Sequence, residues 1–558
     1  MSIFFLSFFL TLLYSFTLPL STLASNQVFV SHHISYTYND QGKSTIVQDI
    51  SLKNLTTQYY PTQYQIQLVG ENPQNITGSF PISTEPQGPD ATLVTVDITK
   101  PAIGKDKVTR FTLKYQGKPA LHNGQVWEIS LPRLTDPKSI DDLTLDLTIP
   151  DSFGKPAYLS PAPINSQDNV YSFSKEQIIQ SPLVGAFGNF QTFSFTMTYH
   201  LTGTTKIILP PDTAYQRVFY DSLVPSPTNI DIDSDGNWLA TYKLKSKQSI
   251  DVVASGQVHI LPEPITSFPE TSKTDLSVYL KPTRFWPSAD PQITALTKSL
   301  NTPEKIYDYV VATLEYDYTL SSNRRGALTA LTLQKGLCTE FTDLFITLAR
   351  AAGIPAREIN GYAYSNDLRL RPLSLVTDVL HAWPQYWDTD RQVWVSVDPT
   401  WGKTTGGVDY FHKLDFNHFA FAIHGQADDT PAFTGKNIKV SYSSYKDYPN
   451  TVLTQHWENP LLIIPFVPAK FNLVFDNPTG QAVYLSPVTV PPFSRLSVPY
   501  TYTFTKPFDF STQTVMTYNI PRRLFLPWQI TLALTISLTI VSGCLYLQRL
   551  VRGHHLRR

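Results

Sequence analysis

At 558 residues the chain is too long for one hydrophobic core, and roughly three or four domains are expected. Its 44 basic and 45 acidic residues leave a formal net charge of -1, with no dense basic patch before the extreme C-terminus, which excludes nucleic acid as an expected partner. Charged residues make up only 16% of the chain while Pro, Tyr and Phe are abundant, a balance that suits short-stranded β domains outside the cytoplasm better than a helical cytosolic enzyme.

Residues 3–20 are almost entirely apolar, and Thr22-Leu23-Ala24 supplies a small-residue cleavage pattern, so 1–24 reads as a secretory signal peptide. The length of the run, and the absence of Lys or Arg before Lys43, leave an uncleaved membrane helix as the alternative. Over 25–117, alternating or β-branched runs at 27–38, 45–52, 63–68 and 108–115 are separated by Asn, Gly and Pro clusters, and predict a β-sandwich module. Asn54 and Asn75 open glycosylation sequons, triplets that also arise by chance. A second β module is expected over 118–264, with strands at 142–149, 193–201 and 238–244. Within it, Asp231-Ile232-Asp233-Ser234-Asp235-Gly236 imitates the start of a calcium loop, but Tyr242 stands where such a loop needs a bidentate Glu. Asp235-Gly236 is therefore read as a hairpin turn.

The composition changes near Ile265, and 265–425 is expected to be an α+β domain. Helices are predicted at 291–300 and 302–313, the second with Thr302 as cap, Pro303 at the first helical position and a core face of Ile306, Val310, Val311 and Leu314. After Cys338, the residues Phe341, Leu344, Phe345, Leu348, Ala349 and Ala352 recur at helical spacing and form one buried stripe; Gly353 and Pro355 end the helix. Cys338 thus opens a helix, where free amides and the dipole favour a thiolate. A strand at 356–364 follows, then aromatic strands at 380–387 and 393–398 joined by Asp388-Thr389-Asp390-Arg391. A turn centred between Thr389 and Asp390 puts His381 directly opposite Asp398, with Cβ atoms about 5 Å apart on one face. A Cys at a helix start with a His–Asp pair on a hairpin has the nucleophile, base and orienter needed for covalent acyl transfer. The second cysteine, Cys544, lies in a C-terminal apolar run and cannot reach Cys338, so a disulfide is not expected. A lone cysteine is otherwise most often a core residue.

Strands at 438–442, 471–475, 483–485 and 495–504 predict a small β module over 426–521. Residues 524–547 carry no charge and are long enough to cross a bilayer, with Trp528 and Tyr546 suited to its two interfaces. The tail, 548–558, holds Arg549, Arg552, Arg557 and Arg558 against Arg522 and Arg523 on the other side. The positive-inside bias then gives a single-pass protein of the cell membrane, its C-terminus cytoplasmic and most of the chain extracytoplasmic.

The ordered series Gly336-Leu337-Cys338, Ala349-Arg350-Ala351-Ala352-Gly353-Ile354-Pro355-Ala356-Arg357, Gly361-Tyr362, His381-Ala382-Trp383 and Asp398-Pro399-Thr400 resembles the transglutaminase-like superfamily over residues 301–425. The resemblance implies a papain-like α+β core with Cys338 as nucleophile, His381 as base and Asp398 as orienter. The architecture expected is that core, preceded by two β-sandwich-like modules and followed by a small β module and one transmembrane helix. Pro384 and Gln385 replace an acidic residue that relatives often carry after His-Ala-Trp, a difference that bears on substrate contacts rather than on the triad. Arg350 and Arg357 are expected to hold the Cys helix against the sheet through buried hydrogen bonds, and Gly353 and Gly361 to serve backbone geometry. Trp383, Trp387, Trp394 and Trp401 are read as packing, with Trp383 on the His381 face. His412, His418 and His424 lack zinc spacing, so no metal and no cofactor are expected. The expected chemistry is acyl transfer or hydrolysis at amide bonds of protein or peptide substrates, cell-wall peptides included. The triad serves both outcomes. The competing class is a non-enzymatic surface scaffold with a degenerate domain, and an intact Cys338/His381/Asp398 set argues against it.

Overall fold

The computed structural model describes residues 27–555, apart from 132–136, 270–274, 318, 321–322, 364–379, 450–451, 486–487, 506–512, 516–517 and 521. The signal-peptide reading, the end of the strand expected at 356–364, and Arg557 and Arg558 lie outside the described residues.

Alternation along β1 (Val28–Tyr38) and β2 (Ser44–Asn54) turns Ile34, Tyr36, Tyr38, Ile46, Ile50 and Leu52 into one core. The two strands pair antiparallel, Ile34 facing Gln48, and β3 (Val108–Gln116) extends the sheet beyond β2. On the other side, β4 (Asp142–Thr148) runs parallel to β1, with Ile34 against Leu145. This pairing crosses the boundary expected at 117/118. The reason is packing: Leu143, Leu145 and Leu147 of β4 join the core of Tyr36 and Phe111, and an alternating strand does not declare in its sequence which sheet will take it.

A twelve-residue ladder joins β5 (Gln191–Thr202) to β6 (Ser249–Ile260). Between them in sequence, the hairpin Asn229–Ile232 with Trp238–Tyr242 closes through Asp233, whose Oδ1 accepts the N–H groups of Asp235 and Asn237. Gly236 sits there at φ +98°, so the calcium-like run is a turn. The Asp235 carboxylate is spent elsewhere, accepting from the Tyr279 hydroxyl and from the N–H groups of Gly425 and Gln426.

In the α+β core, α1 (Pro303–Thr313) starts where expected, its Thr302 hydroxyl accepting the Lys305 N–H at 3.3 Å. Helix α2 (Cys338–Ala351) is stopped by Gly353 at φ +81°. Glu340 reaches back to accept the Leu337 N–H at 2.9 Å. The expected stripe is too narrow a description: Thr342, Asp343, Ile346 and Thr347 are buried as well as Phe341, Leu344, Phe345 and Leu348. The helix is enclosed on every side, and the polar members need partners. Arg324 provides one, bridging Asp343 and Glu358, with the Trp286 indole N–H donating to Asp343 at 2.7 Å.

The sheet against α2 has the order β9–β8–β7–β10, formed by β7 (Ala356–Ala363), β8 (Leu380–Asp388), β9 (Val393–Ser396) and β10 (His418–His424), all antiparallel to their neighbours. A short helix, α3 (Pro399–Thr404), follows β9. Arg350 ties α2 to this sheet, donating to the carbonyls of Ala356, Gly425 and Lys281, while Arg357 donates to Gln385 at 2.7 Å beneath the Trp394 ring. Beyond the core, β11 (Lys436–Tyr442) pairs with β5, Val440 facing Phe195, which crosses the boundary expected at 425/426. The C-terminal sheet joins Thr454–Glu458, β12 (Pro468–Asn477) and β13 (Ser494–Thr503). Helix α4 (Leu526–His555) contains a 25-residue span, Leu526–Leu550, with mean hydropathy 2.0, long and apolar enough to cross a membrane.

Two glycines separate close approach from backbone conformation. A Cβ on Gly361 would lie 2.2 Å from the Phe419 carbonyl oxygen and 2.8 Å from Trp383, whereas one on Gly353 would meet nothing within 4 Å. Gly361→Ala should destabilise the core by roughly 1–3 kcal/mol through overpacking. Gly353→Ala should cost only its left-handed φ, about 1 kcal/mol. Urea midpoints read by the core tryptophans decide it: a Gly361→Ala midpoint at or above that of Gly353→Ala means the β7–β10 spacing is looser than described.

Candidate active site

Cys338 is the first residue of α2, half buried, and its side chain is a hydrogen-bond partner of His381. His381 lies buried on β8, its Nε2 2.8 Å from Asp398 Oδ2, which leaves Nδ1 to face the thiol. Asp398 is the N-cap of α3, and its Oδ1 accepts the Trp401 N–H at 3.0 Å. One carboxylate therefore both starts a helix and orients the imidazole. The structure brings together all three residues singled out in the sequence.

The hairpin register differs from the expected one. Gln385 pairs with Ser396 and Trp387 with Trp394, and the Val397 N–H donates to the Pro384 carbonyl. Stepping two residues along this ladder sets Asp398 across from Trp383, not from His381. The turn is responsible: Asp388 Oδ1 accepts the N–H groups of Asp390 and Arg391, and Gln392 takes φ +54°, so the turn centres one residue later. The slip is two residues in register, one full pleat repeat, so both side chains keep the same face and meet diagonally.

His418, the first residue of β10, completes the cluster. Its Nε2 is 3.0 Å from Asp398 Oδ2 and its Nδ1 2.7 Å from Asp415 Oδ1, with all three side chains buried. An ionised carboxylate only accepts, so between two ionised partners both ring nitrogens would donate and His418 would carry the charge. Burial opposes that charge, and Asp415 and Asp398 overcome it, raising its pKa. Sequence reasoning missed this residue. It lies 20 positions beyond Asp398, and a lone histidine outside any ligand motif carries no local signal.

The same balance fixes the other groups. Burial works against a charged His381, but the Asp398 carboxylate and the Cys338 contact prevail and raise its pKa to about 10. Burial likewise favours neutral Asp398, and His381 and His418 together hold its carboxyl well below the usual range. Beneath the site, burial pushes Asp343 up to about 7 against the pull of Arg324. Trp383 lies 5.9 Å from the His381 ring at 23°, and Trp401 6.1 Å away, so indoles wall the imidazole. His381, Asp398 and His418 offer atoms close enough to share an ion, but each of those atoms is already engaged by another of the three. The arrangement is a hydrogen-bonded relay from Asp415 to Cys338.

Two outcomes test the relay. His418→Leu removes a charged donor to Asp398, worth about 1.5–3 kcal/mol, and should slow iodoacetamide alkylation of Cys338 at pH 7 by about 10- to 100-fold. His418→Gln keeps one N–H for Asp398 and should recover part of the rate; equal rates in Leu, Gln and wild type would remove His418 from the relay. For pH, the folded pKa of His381 lies above its ordinary value of 6.5, so its stabilising contribution is whole below pH 6.5 and is lost as pH rises toward 10. Urea midpoints should therefore fall more steeply across pH 7–10 in wild type than in His381→Asn. Parallel curves would mean that His381 gains no proton affinity on folding.

The family model for the transglutaminase-like superfamily matches residues 288–399. No curated protein matches the chain. Among solved structures, a candidate cysteine protease from Cytophaga hutchinsonii is 18% identical with a TM-score of 0.33, over 47% of this chain and 93% of that one. A candidate protease from Parabacteroides distasonis ATCC 8503 is 11% identical with a TM-score of 0.17, over 90% and 97%. An M1 zinc metallopeptidase from Deinococcus radiodurans is 11% identical with a TM-score of 0.17, over 34% and 45%. Superpositions this loose carry no argument about activity. The segment 288–399, which holds Cys338, His381 and Asp398, is a domain of the transglutaminase-like superfamily.

Proposed function

We propose that the protein is a membrane-anchored cysteine enzyme that cleaves or transfers acyl groups at amide bonds of protein or peptide substrates outside the cytoplasm. The observation that carries this reading is the buried line of hydrogen bonds from Asp398 through His381 to Cys338. The thiolate of Cys338 attacks the amide carbonyl, and the carbon–nitrogen bond breaks as His381 Nδ1 passes its proton to the leaving amine. A thioester remains on Cys338. Water then releases an acid, or a second amine takes the acyl group; His381 removes the incoming proton in either case. The Cys338 N–H, at the start of α2, is the natural donor to the oxyanion.

Gln385, one of the two departures from relatives, is committed to structure: it accepts from Arg357 and donates to Ser396 at 2.8 Å. The substitution thus supports an unaltered triad with different surroundings. The β-rich modules are read as carriers of the domain, and α4 as its membrane anchor with the short basic tail in the cytoplasm. Against the scaffold alternative stands Asp398: a domain kept only for binding has no need to bury a carboxylate that accepts from two histidines.

Asp398→Asn tests the assignment. The amide NH2 must face either the Trp401 N–H, if its oxygen serves the two histidines, or the histidine N–H groups themselves, so alkylation of Cys338 should fall by about 10⁴, by analogy with the serine triad. An unsatisfied buried donor should also cost about 1–3 kcal/mol of stability. Asp390, exposed in the turn, is the control, and Asp390→Ala should change neither quantity. Retained labelling in a folded Asp398→Asn protein would return the domain to the scaffold reading.

A further inference from the structure

The end of the C-terminal β module nearest α4 presents an apolar turn to solvent. Leu461 is 98% and Phe466 63% exposed, and Leu462 and Val467 are exposed beside them. Between these residues Ile463 is wholly buried, in one cluster with Phe471, Phe504, Leu524 and Phe525. The turn closes through the Val467 N–H on the Ile464 carbonyl, and Phe466 takes φ +67°, a conformation that a bulky aromatic residue seldom adopts. The strain holds an aromatic ring outward where a smaller polar residue would be the ordinary choice.

The turn is pinned to the entry of the apolar helix. The Ile463 N–H donates to the Leu524 carbonyl at 2.9 Å and the Phe466 N–H to the Phe504 carbonyl at 2.7 Å. The Phe504 ring meets Phe525 edge-on at 5.0 Å. Leu524 and Phe525 directly precede Leu526, where the membrane-length span begins. A residue spans at most about 3.6 Å of chain, so Leu461 and Phe466 lie within roughly 11 Å of an anchor beside that entry, close to the depth of the headgroup layer. Exposed Lys470, just after the turn in sequence, and exposed Arg523, next to Leu524, are cations suited to phosphate headgroups.

We propose that the 461–467 turn is a second membrane contact, with Leu461 and Phe466 inserted at the headgroup–acyl boundary of the leaflet that α4 enters. This rests on α4 crossing a bilayer. A single helix is one point about which the body swings; a turn hydrogen-bonded to the helix entry adds a second point and fixes the tilt of the molecule over the membrane. Lipid is favoured over a protein partner because the patch is continuous with the helix entry.

The full-length protein in lipid nanodiscs tests this, in a Cys338→Ala, Cys544→Ala background. Single cysteines are introduced by Leu461→Cys, Phe466→Cys, Asp251→Cys or Leu538→Cys and labelled with an environment-sensitive fluorophore. Lipids carrying a nitroxide near the top of the acyl chain should quench the 461 and 466 labels at least about twofold, iodide should leave them bright, and the 251 label should behave in reverse. If the 538 label is quenched by lipid while 461 and 466 are as open to iodide as 251, the turn stands in water; the proposal fails and the helix reading survives. If 461 and 466 are shielded from iodide but untouched by lipid, protein covers them, a second copy or another stretch of the chain, and the proposal fails equally. A 538 label that lipid carrying its nitroxide near the end of the acyl chain does not quench overturns the helix reading and the proposal with it. Leu461 is almost fully exposed, so Leu461→Cys removes no packing and its result stands even where Phe466→Cys disturbs the turn.

Discussion

An ionised carboxylate in an apolar interior costs several kcal/mol unless every lone pair is answered, and Asp398 is wholly buried. Its answers come from three directions: the Trp401 N–H at the start of α3, His381 on β8 and His418 on β10. Those three elements converge on one side chain. Trp383 and Trp401 then keep water away, so each hydrogen bond acts in a medium where it is stronger than at the surface. The site is in this sense a by-product of satisfying one charge. A histidine poised over a helix-opening cysteine is what remains once that charge is satisfied.

Burial, not connectivity, distinguishes this cluster from a second one on the outer sheet. On β5 and β6, Ser249 Oγ lies 3.1 Å from His200 Nε2, and His200 Nδ1 lies 2.7 Å from Asp251 Oδ1. The residue types and distances are those of a catalytic triad. Yet the His200 and Asp251 side chains are 61% and 65% exposed, and an ion pair in that setting is worth at most about 1 kcal/mol. Water competes for every polar atom and weakens each of these hydrogen bonds. Cross-strand neighbours on a polar sheet face produce such sets by register alone.

What could be read from the residues was local. The Thr302 cap, the stripe and stop of α2, and the shared face of His381 and Asp398 each depend on spacing within one or two adjacent elements. What escaped was set at a distance. The register slip came from how Asp388 folds its turn, a choice among turns of similar composition. The full enclosure of α2 depends on Arg324 being there to satisfy Asp343. The parallel join of β1 to β4 needs partners more than a hundred positions apart. His418 lies beyond the family match altogether, which stops at 399, so neither motif nor family would have found it.

The strand that carries His418 also ties the β-rich part of the chain to the candidate site. β10 is an edge strand of the core sheet, and an edge leaves unpaired N–H and C=O groups. They are closed by side-chain amides from the β module. Gln216 donates to the Ala420 carbonyl and accepts the Ala420 N–H, at 2.9 and 2.8 Å. Asn237 does the same for Ile423, at 2.8 and 2.7 Å. Asp235 then takes the Gly425 N–H, and the Gly425 carbonyl goes to Arg350 of α2. The loop that resembled a calcium site is thus one jaw of a clamp on β10, and its Asp233 and Asp235 serve backbone amides. Through that clamp the module sets where His418 sits. Through His418 it acts on the carboxylate that orients His381. The β module is joined to the Cys338–His381–Asp398 cluster by hydrogen bonds, not merely by the chain.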